Sequence, residues 1–146
     1  SGFFRDGIER LGLSSIDASG PDGGFRRMLK ALRSEQAVMI LMDQASKHSG
    51  QPIPFLGKSL RMPPGPIELA RRSNAPIVPI WLIDEIQSWV FEVKPPMQCN
   101  PSDKIEGQLS DLVNLMEQHI LAHPALWSWH QRRWHKYPFI TDSGTQ

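Results

Sequence analysis

The chain lacks most of the features that mark secreted, membrane-spanning or disulfide-bonded proteins. Its single cysteine, Cys99, excludes an internal disulfide and a zinc site built from cysteines alone, and we expect this cysteine to be buried and unreactive. No apolar run approaches the roughly 18 residues of a membrane span. The first residues also lack the plan of a signal peptide. We therefore expect a folded domain that does not cross a membrane.

What the chain does contain suits one domain of ordinary size. It has 146 residues, of which 40% are hydrophobic, and a net charge of +1. This is enough apolar material for a core and too much for a disordered segment. The small net charge hides a basic ending, because residues 123–140 include Arg132, Arg133 and Lys136 and no acid.

The first half of the chain shows alternating helix and strand patterns. Apolar residues at helical spacing predict a helix over residues 24–33, with Asp22 as its cap. The uncharged run over residues 36–42 predicts a buried strand. Residues 45–63 are rich in Ser, Gly, Pro and Lys, which indicates a functional loop, too polar for the core, with a short extended piece at residues 53–56.

The second half continues this alternation. Pro66 suits the first turn of a helix that ends near residue 73, and residues 77–83 and 89–93 read as two more strands. Asp103 to Glu106 has capping-box form ahead of a long helix. Its apolar positions follow helical spacing: Ile105, Leu109, Leu112, Val113, Met116 and Ile120.

Helices that feed buried strands predict an α/β layered fold, with a mostly parallel or mixed sheet flanked by helices. In such a fold the strands at 36–42 and 77–83 share a sheet, and Asp43 lies at its carboxyl edge facing a groove. Ligands bind at such edges in open α/β sheets. Without the neighbouring sequence blocks, Asp43 is better read as a loop or cap acid at a strand end.

Several blocks along the chain resemble one family in the right order. The blocks are Asp43-Gln44 with Gly50, Phe55-Leu56-Gly57, Pro64 to Ala70, Pro76 to Ile80, and the ending Trp127-Ser128-Trp129-His130-Gln131-Arg132-Arg133-Trp134. Together they resemble the lipid A biosynthesis acyltransferases of the glycerolipid acyltransferase superfamily. Two departures are Leu56, where the family usually has Phe, and Gln131, which shifts the spacing of the ending.

The resemblance implies a catalytic His and acid in an HxxxxD/E motif, in which the His removes the proton of the acceptor hydroxyl. None of the five histidines has an acid five residues later. We therefore expect residues 1–146 to be a single unit forming the C-terminal part of an acyltransferase domain, with the catalytic motif upstream. The chain then carries no catalytic residue of its own.

The resemblance also implies a set of substrate-binding residues. Asp43, Gln44, Phe55, Gly57 and Gly65 fall in the family's acceptor-side blocks. Arg61 is the favoured cation for an acceptor phosphate, because a guanidinium pairs with two phosphate oxygens at once; it lies among Lys58, Arg71 and Arg72. Arg10 lies where the family tends to carry an Arg, and the alternative reading is a solvated residue on a helix over residues 6–11.

The same resemblance implies the partners. The acyl donor is acyl carrier protein or acyl-CoA, and the acceptor is a glycolipid or lysophospholipid, or a mannosylated phosphatidylinositol as in a sister branch. The expected location is the cytoplasmic face of the inner membrane, by peripheral contact with the bilayer surface. No cofactor, metal or nucleic acid is expected.

Other function classes fit the residues less well. The competing class is a non-catalytic lipid- or partner-binding α/β module. Interleaved aromatic and basic residues in the ending suit single-stranded nucleic acid, a bilayer interface, or tryptophans packed on a sheet. The spacings of His123, His130 and His135 match no standard zinc pattern. No serine has the G-x-S-x-G surroundings of a hydrolase.

Overall fold

The computed structural model describes residues 9–16, 23–43, 50–85 and 88–131. The chain forms two compact units, Ser1–Met39 and Ile40–Gln146, which are described separately. In order, the helices and strands of the described residues are α1 (Gly24–Arg33), β1 (Gln51–Phe55), β2 (Lys58–Met62), α2 (Gly65–Ser73), β3 (Ile80–Glu85), β4 (Ser88–Val93), α3 (Ile105–Ala122) and a 3-10 turn (Pro124–Leu126). Within these ranges, no helix has the length and apolarity needed to cross a bilayer.

Helix α1 is the main element of the first unit and confirms the predicted helix. Its N-cap is Gly23, with a φ of 65° and no side-chain cap, and the proposed cap Asp22 lies outside the described residues. Lys30 and Arg33 occupy its last turn, where positive charge is favoured by the helix dipole.

The predicted strand over residues 36–42 is wrong, because these residues form no strand. Met39, in the first unit, and Leu41, in the second, are each 79% exposed. A strand exists only with a partner for its backbone groups, and no described strand pairs with this run. Only Met42 behaves as predicted, since it packs against the core of the second unit.

Residues 51–62 form an antiparallel hairpin, so the prediction of a loop too polar for the core is wrong. Ile53 lies opposite Leu60 in the register, and both are buried together with Phe55 and Met62. The cause is a period-two alternation that the Pro, Ser and Lys residues between these positions obscure. The outward positions carry the polar residues and the prolines, which an edge strand tolerates.

The second hairpin, β3–β4, replaces the predicted parallel or mixed sheet. Ile80 pairs with Val93 and Glu85 with Ser88 in antiparallel register. Both described sheets are thus two-stranded and antiparallel, while the broader α/β class is confirmed. The reason is chain connectivity, because only two residues separate β3 from β4, whereas parallel strands need a crossover of a dozen or more residues.

Helices α2 and α3 confirm their predictions, apart from one cap. Helix α2 begins at Gly65 with Pro66 in its first turn and ends at Ser73, and its C-cap Asn74 is left-handed with a φ of 59°. The predicted capping box before α3 is wrong, because the N-cap is Lys104 and no side chain caps the helix. Instead, Gln108 Nε2 donates a hydrogen bond to the carbonyl of Asn100 at 2.8 Å.

The core of the second unit lies between the first hairpin and the helices. Helix α3 packs against β1, and α2 packs against α3. Most of the buried apolar residues form one cluster, which comprises Ile53, Phe55, Leu60, Met62, Ile67, Ala70, Cys99, Leu109, Leu112, Val113, Met116 and Ile120. Cys99 is a free, buried thiol, as predicted, and burial raises the pKa of this thiol. The apolar positions predicted for α3 supply much of this core.

Among the glycines compared in the described residues, Gly50 is the one that leaves no room for a side chain. A Cβ added there would lie 2.7 Å from the carbonyl carbon of Arg61 and 2.8 Å from its Cβ. Gly50→Ala should therefore displace β2 and lower the free energy of unfolding by about 1–3 kcal/mol in chemical denaturation. The matched control is Gly107→Ala in α3, where the new Cβ meets nothing within 4 Å and should stabilise by up to about 1 kcal/mol. Equal changes in the two variants would contradict this close approach.

Candidate functional site

Four of the seven predicted binding residues lie in one continuous segment of the second unit. The segment runs from β1 through its turn and β2 into α2, and we call it the hairpin–helix segment (residues 51–73). Phe55 ends β1, Gly57 lies in the turn, Arg61 is in β2, and Gly65 begins α2. These four positions therefore lie on the first hairpin and on the helix that directly follows it.

Phe55 supports this segment from inside. Its side chain is fully buried, and its ring meets Trp127 edge to face, with the ring centroids 5.5 Å apart. Trp127 in turn meets Trp129 at 4.8 Å. For Trp127 the structure thus agrees with a tryptophan packed on a sheet. Phe55 shapes the segment by packing, because its ring faces the core and not the solvent.

The turn between β1 and β2 is anchored by a side chain that sequence reasoning missed. Leu56 and Gly57 both have positive φ angles, 50° and 73°, as two-residue hairpin turns require. The Leu56 N–H donates a hydrogen bond to Glu117 Oε2 of α3 at 3.1 Å. A carboxylate acceptor makes such a bond stronger than a neutral one. Because 61 residues separate the partners, no local sequence signal announces this contact.

Arg61 is the predicted binding residue of the segment whose side chain could bind an anionic group. It is exposed on the outward side of β2, and its Nη1 donates a hydrogen bond to the Gly50 carbonyl at 3.2 Å. This bond fixes the side chain and uses one of the five guanidinium donors. Arg71 serves a structural contact instead, since its guanidinium donates to the Pro101 carbonyl ahead of α3. Arg61 is therefore an exposed, oriented cation of the segment with donors left for an anionic group.

The other three predicted residues lie outside the hairpin–helix segment. Asp43 is half-buried and follows Met42. Because residues 36–42 form no strand, the strand-end argument for Asp43 no longer holds, and its role stays a prediction. Gln44 lies outside the described residues. Arg10 is exposed in the first unit, beside a helical turn closed by the Gly12 N–H and the Glu9 carbonyl at 2.9 Å.

A second group of polar side chains lies between β4 and α3. His119 of α3 stacks on Trp81 with ring centroids 4.6 Å apart, and its Nδ1 lies 3.6 Å from Glu92 Oε2. Lys94 Nζ pairs with the other oxygen of Glu92 at 2.6 Å. His123 lies beyond, 5.0 Å from His119 between ring centroids.

This second group does not provide an accessible base. The His119 side chain is only 10% exposed and is covered by Trp81. Burial lowers the pKa of His119, and the nearby charge of His123 lowers it further, so that Glu92 only partly offsets the shift. The hydrogen bond from Lys94 lowers the pKa of Glu92. The arrangement joins the second hairpin to α3. Among the described residues, no cluster of His, Cys, Asp and Glu suits a metal ion.

Comparison with known proteins gives consistent relatives over nearly the whole chain. A family model described as bacterial lipid A biosynthesis acyltransferase matches residues 6–136. Phosphatidylinositol mannoside acyltransferases from Mycobacterium tuberculosis, strains CDC 1551 / Oshkosh and H37Rv, are each 30% identical over 132 residues, which cover 90% of this chain and 42% of theirs. The Mycolicibacterium smegmatis protein of the same name is 24% identical, with 90% and 43% covered. The chain thus spans about two fifths of the length of these relatives.

The Glu117 anchor can be tested by removing its carboxylate. Glu117→Ala leaves the Leu56 N–H without its acceptor, so amide exchange at Leu56 should accelerate and the free energy of unfolding should fall by about 1–3 kcal/mol. Glu117→Gln keeps a carbonyl oxygen at this place and should recover much of the loss. Asp111→Ala, which removes an exposed acid of the same helix, is the control. Unchanged exchange at Leu56 in Glu117→Ala would exclude the anchor.

The lowered pKa of His119 predicts a pH dependence of stability. The folded chain holds this pKa below 6.5, so the unfolded chain binds the proton more readily, and the free energy of unfolding should decrease as the pH falls below about 6.5. His119→Phe keeps a ring against Trp81 and should flatten this decline in denaturation curves between about pH 6.5 and 5. The exposed His130, replaced by Gln, is the control. A decline of equal slope in His119→Phe would assign it to other groups.

Proposed function

The chain belongs to the family of bacterial lipid A biosynthesis acyltransferases, and from that premise we propose that it forms the acceptor-binding part of an O-acyltransferase. The intact enzyme moves an acyl chain from the thioester of acyl carrier protein or coenzyme A to a hydroxyl of a glycolipid or lysophospholipid. The observation that carries this proposal is the family match over residues 6–136, and it is supported by the exposed Arg61 in the segment that resembles the family's acceptor-binding block.

For the acceptor, we favour a mannosylated phosphatidylinositol over lipid A. The curated relatives described above are named phosphatidylinositol mannoside acyltransferases. Such an acceptor has a phosphodiester, which suits the planar donors of a guanidinium. In this proposal Arg61 binds that phosphate, while the turn held by Glu117 sets the position of β2 along the acceptor. Asp43, Gln44 and Arg10 complete the binding surface in the intact protein.

The chemical step requires a base that this chain does not supply. The acceptor hydroxyl must lose its proton as its oxygen attacks the thioester carbonyl carbon, and the carrier thiolate leaves. A His oriented by an acid in an upstream HxxxxD/E motif takes that proton. In the intact domain, further strands complete a layered sheet around the parts described above.

The proposal extends to the place of action. A lipid acceptor is reached at the bilayer surface, and we propose peripheral attachment at the cytoplasmic face of the inner membrane. Arg132, Arg133 and Lys136, which lie outside the described residues, contribute on the order of 1 kcal/mol each next to anionic headgroups. Co-sedimentation with anionic vesicles that weakens with salt is the measurement that checks this attachment.

A second candidate is a lipid- or partner-binding module without catalysis. The observation in its favour is that no histidine of this chain stands in an HxxxxD/E motif. The two candidates differ in one measurable property, which is acyl transfer by the intact protein.

The activity test compares this chain with the intact protein that includes the upstream segment. Without a positioned base, general-base assistance of about 10²–10⁴-fold is lost, so the 146 residues alone should show no enzyme-like transfer from acyl thioester to glycolipid. The intact protein should transfer. In it, Arg61→Gln should raise the KM for a phosphate-bearing acceptor by about tenfold, equivalent to about 1.4 kcal/mol, with kcat nearly unchanged.

Lys104→Gln serves as the control, because Lys104 is an exposed cation outside the hairpin–helix segment. Turnover by the 146 residues alone would overturn the assignment of the base to another segment. An intact protein that binds the glycolipid without transfer would favour the non-catalytic module.

A further inference from the structure

The second hairpin has two apolar faces, of which only one is covered. Register pairs place Trp81 with Glu92 on the inner face, which meets His119 of α3. The opposite side consists of Ile80, Leu82, Trp89, Phe91 and Val93, and we call it the outer apolar face. Each of these side chains is between 45% and 67% exposed.

These five side chains form one continuous patch. The register pairs Ile80 with Val93 and Leu82 with Phe91, and directly opposed side chains of an antiparallel sheet lie about 5 Å apart. A hairpin with one wet face normally alternates apolar and polar residues. Here the only charged residue on that face is Asp84, opposite Trp89 at the turn end. A continuous patch of this kind marks an interaction surface.

We propose that the outer apolar face is the docking surface for the part of the acyltransferase polypeptide that this chain does not match, presented as an apolar helix or strand face. This inference rests on the proposed function in one respect, which is that the intact protein includes such a segment. The length of the curated relatives supports this proposal. The chain covers 42% of each relative, and the remaining three fifths of each relative need a surface to pack against.

The size of the patch favours an occupant on the same polypeptide. Five side chains about half exposed present on the order of 100 Å² each, about 500 Å² together, whereas a stable complex of separate molecules buries about 800 Å² per partner. A covalently linked segment needs less area, because linkage raises its effective concentration to about the millimolar range. A second copy of the chain has no such advantage.

The charges around the patch disfavour an anionic bilayer as the occupant. Surfaces that dock on such membranes are rimmed by cations. The turn end of this hairpin carries Asp84 and Glu85 instead, and Lys94 at the other end is paired with Glu92. An apolar protein face fits this rim better than anionic headgroups do.

Side-chain footprinting tests the proposal on the protein itself. Hydroxyl-radical labelling of Trp89 and Phe91 is compared between the 146-residue chain and the intact protein with its upstream segment. We expect labelling of both residues to fall at least tenfold in the intact protein. Leu121, which is 63% exposed on α3, is the reference position and should change by less than twofold. Labelling of Trp89 and Phe91 that stays equal in the two proteins would overturn the proposal.

A substitution in the intact protein provides the second measurement. Phe91→Asp places a charge in the outer apolar face and should raise the labelling of Trp89 at least fivefold, towards the level of the 146-residue chain, while the control Leu121→Asp leaves it within twofold. Unchanged labelling of Trp89 in Phe91→Asp would contradict the proposal. A gene without an upstream segment would overturn the proposal. Protection of Trp89 only at high concentration, as dimers form, would assign the face to a second copy. Protection only with phosphatidylglycerol or phosphatidylcholine vesicles would assign it to the bilayer.

These readouts separate the proposal from the proposed function. A protected Trp89 in an intact protein that transfers no acyl group would support the docking surface and contradict the enzyme. Acyl transfer by an intact protein whose Trp89 stays labelled would support the enzyme and contradict the docking surface.

Discussion

The packing of the first hairpin against α3 is the interaction on which the rest of the second unit depends. The inward side chains of β1 and β2 meet the apolar stripe of α3 in one cluster, to which α2 adds Ile67 and Ala70. A two-stranded hairpin is at best marginally stable alone, and α3 supplies both the apolar surface and, through Glu117, an acceptor for the turn. Whatever the exposed side of this hairpin binds is positioned by contacts made on its hidden side.

The sequence predicts an element well when the pattern of that element alone determines it, and poorly when a partner elsewhere in the chain determines it. Helix α3 was predictable because its apolar spacing is a property of the helix itself. The run over residues 36–42 has the composition of a buried strand, yet a strand needs another strand beside it, and the described residues provide none. The first hairpin was predicted only as a short extended piece at residues 53–56, because the Pro, Ser and Lys residues between its inward positions obscure the alternation of the two strands.

The candidate site shows the same division. The family resemblance selected Phe55 and Gly57, but the structure uses them to build the segment, one as a core ring and the other as a turn residue with positive φ. A family motif can therefore contain residues that stabilise the fold as well as residues that bind the substrate. Arg61, which the resemblance also selected, is exposed on β2. Glu117, the partner of Leu56, lies 61 positions away, so no local sequence pattern predicts their contact.

The buried Cys99 has a consequence for measuring motion in this protein. Its thiol lies in the cluster shared by the hairpin and the helices, and burial keeps its pKa above the ordinary value, so in the closed protein both shielding and protonation slow its chemistry. A thiol reagent should therefore modify Cys99 much faster when the core transiently opens than in the closed protein. Because the sequence has no other cysteine, the rate of modification of Cys99 reports the rate of local opening of the second unit. No engineered cysteine is needed for this measurement.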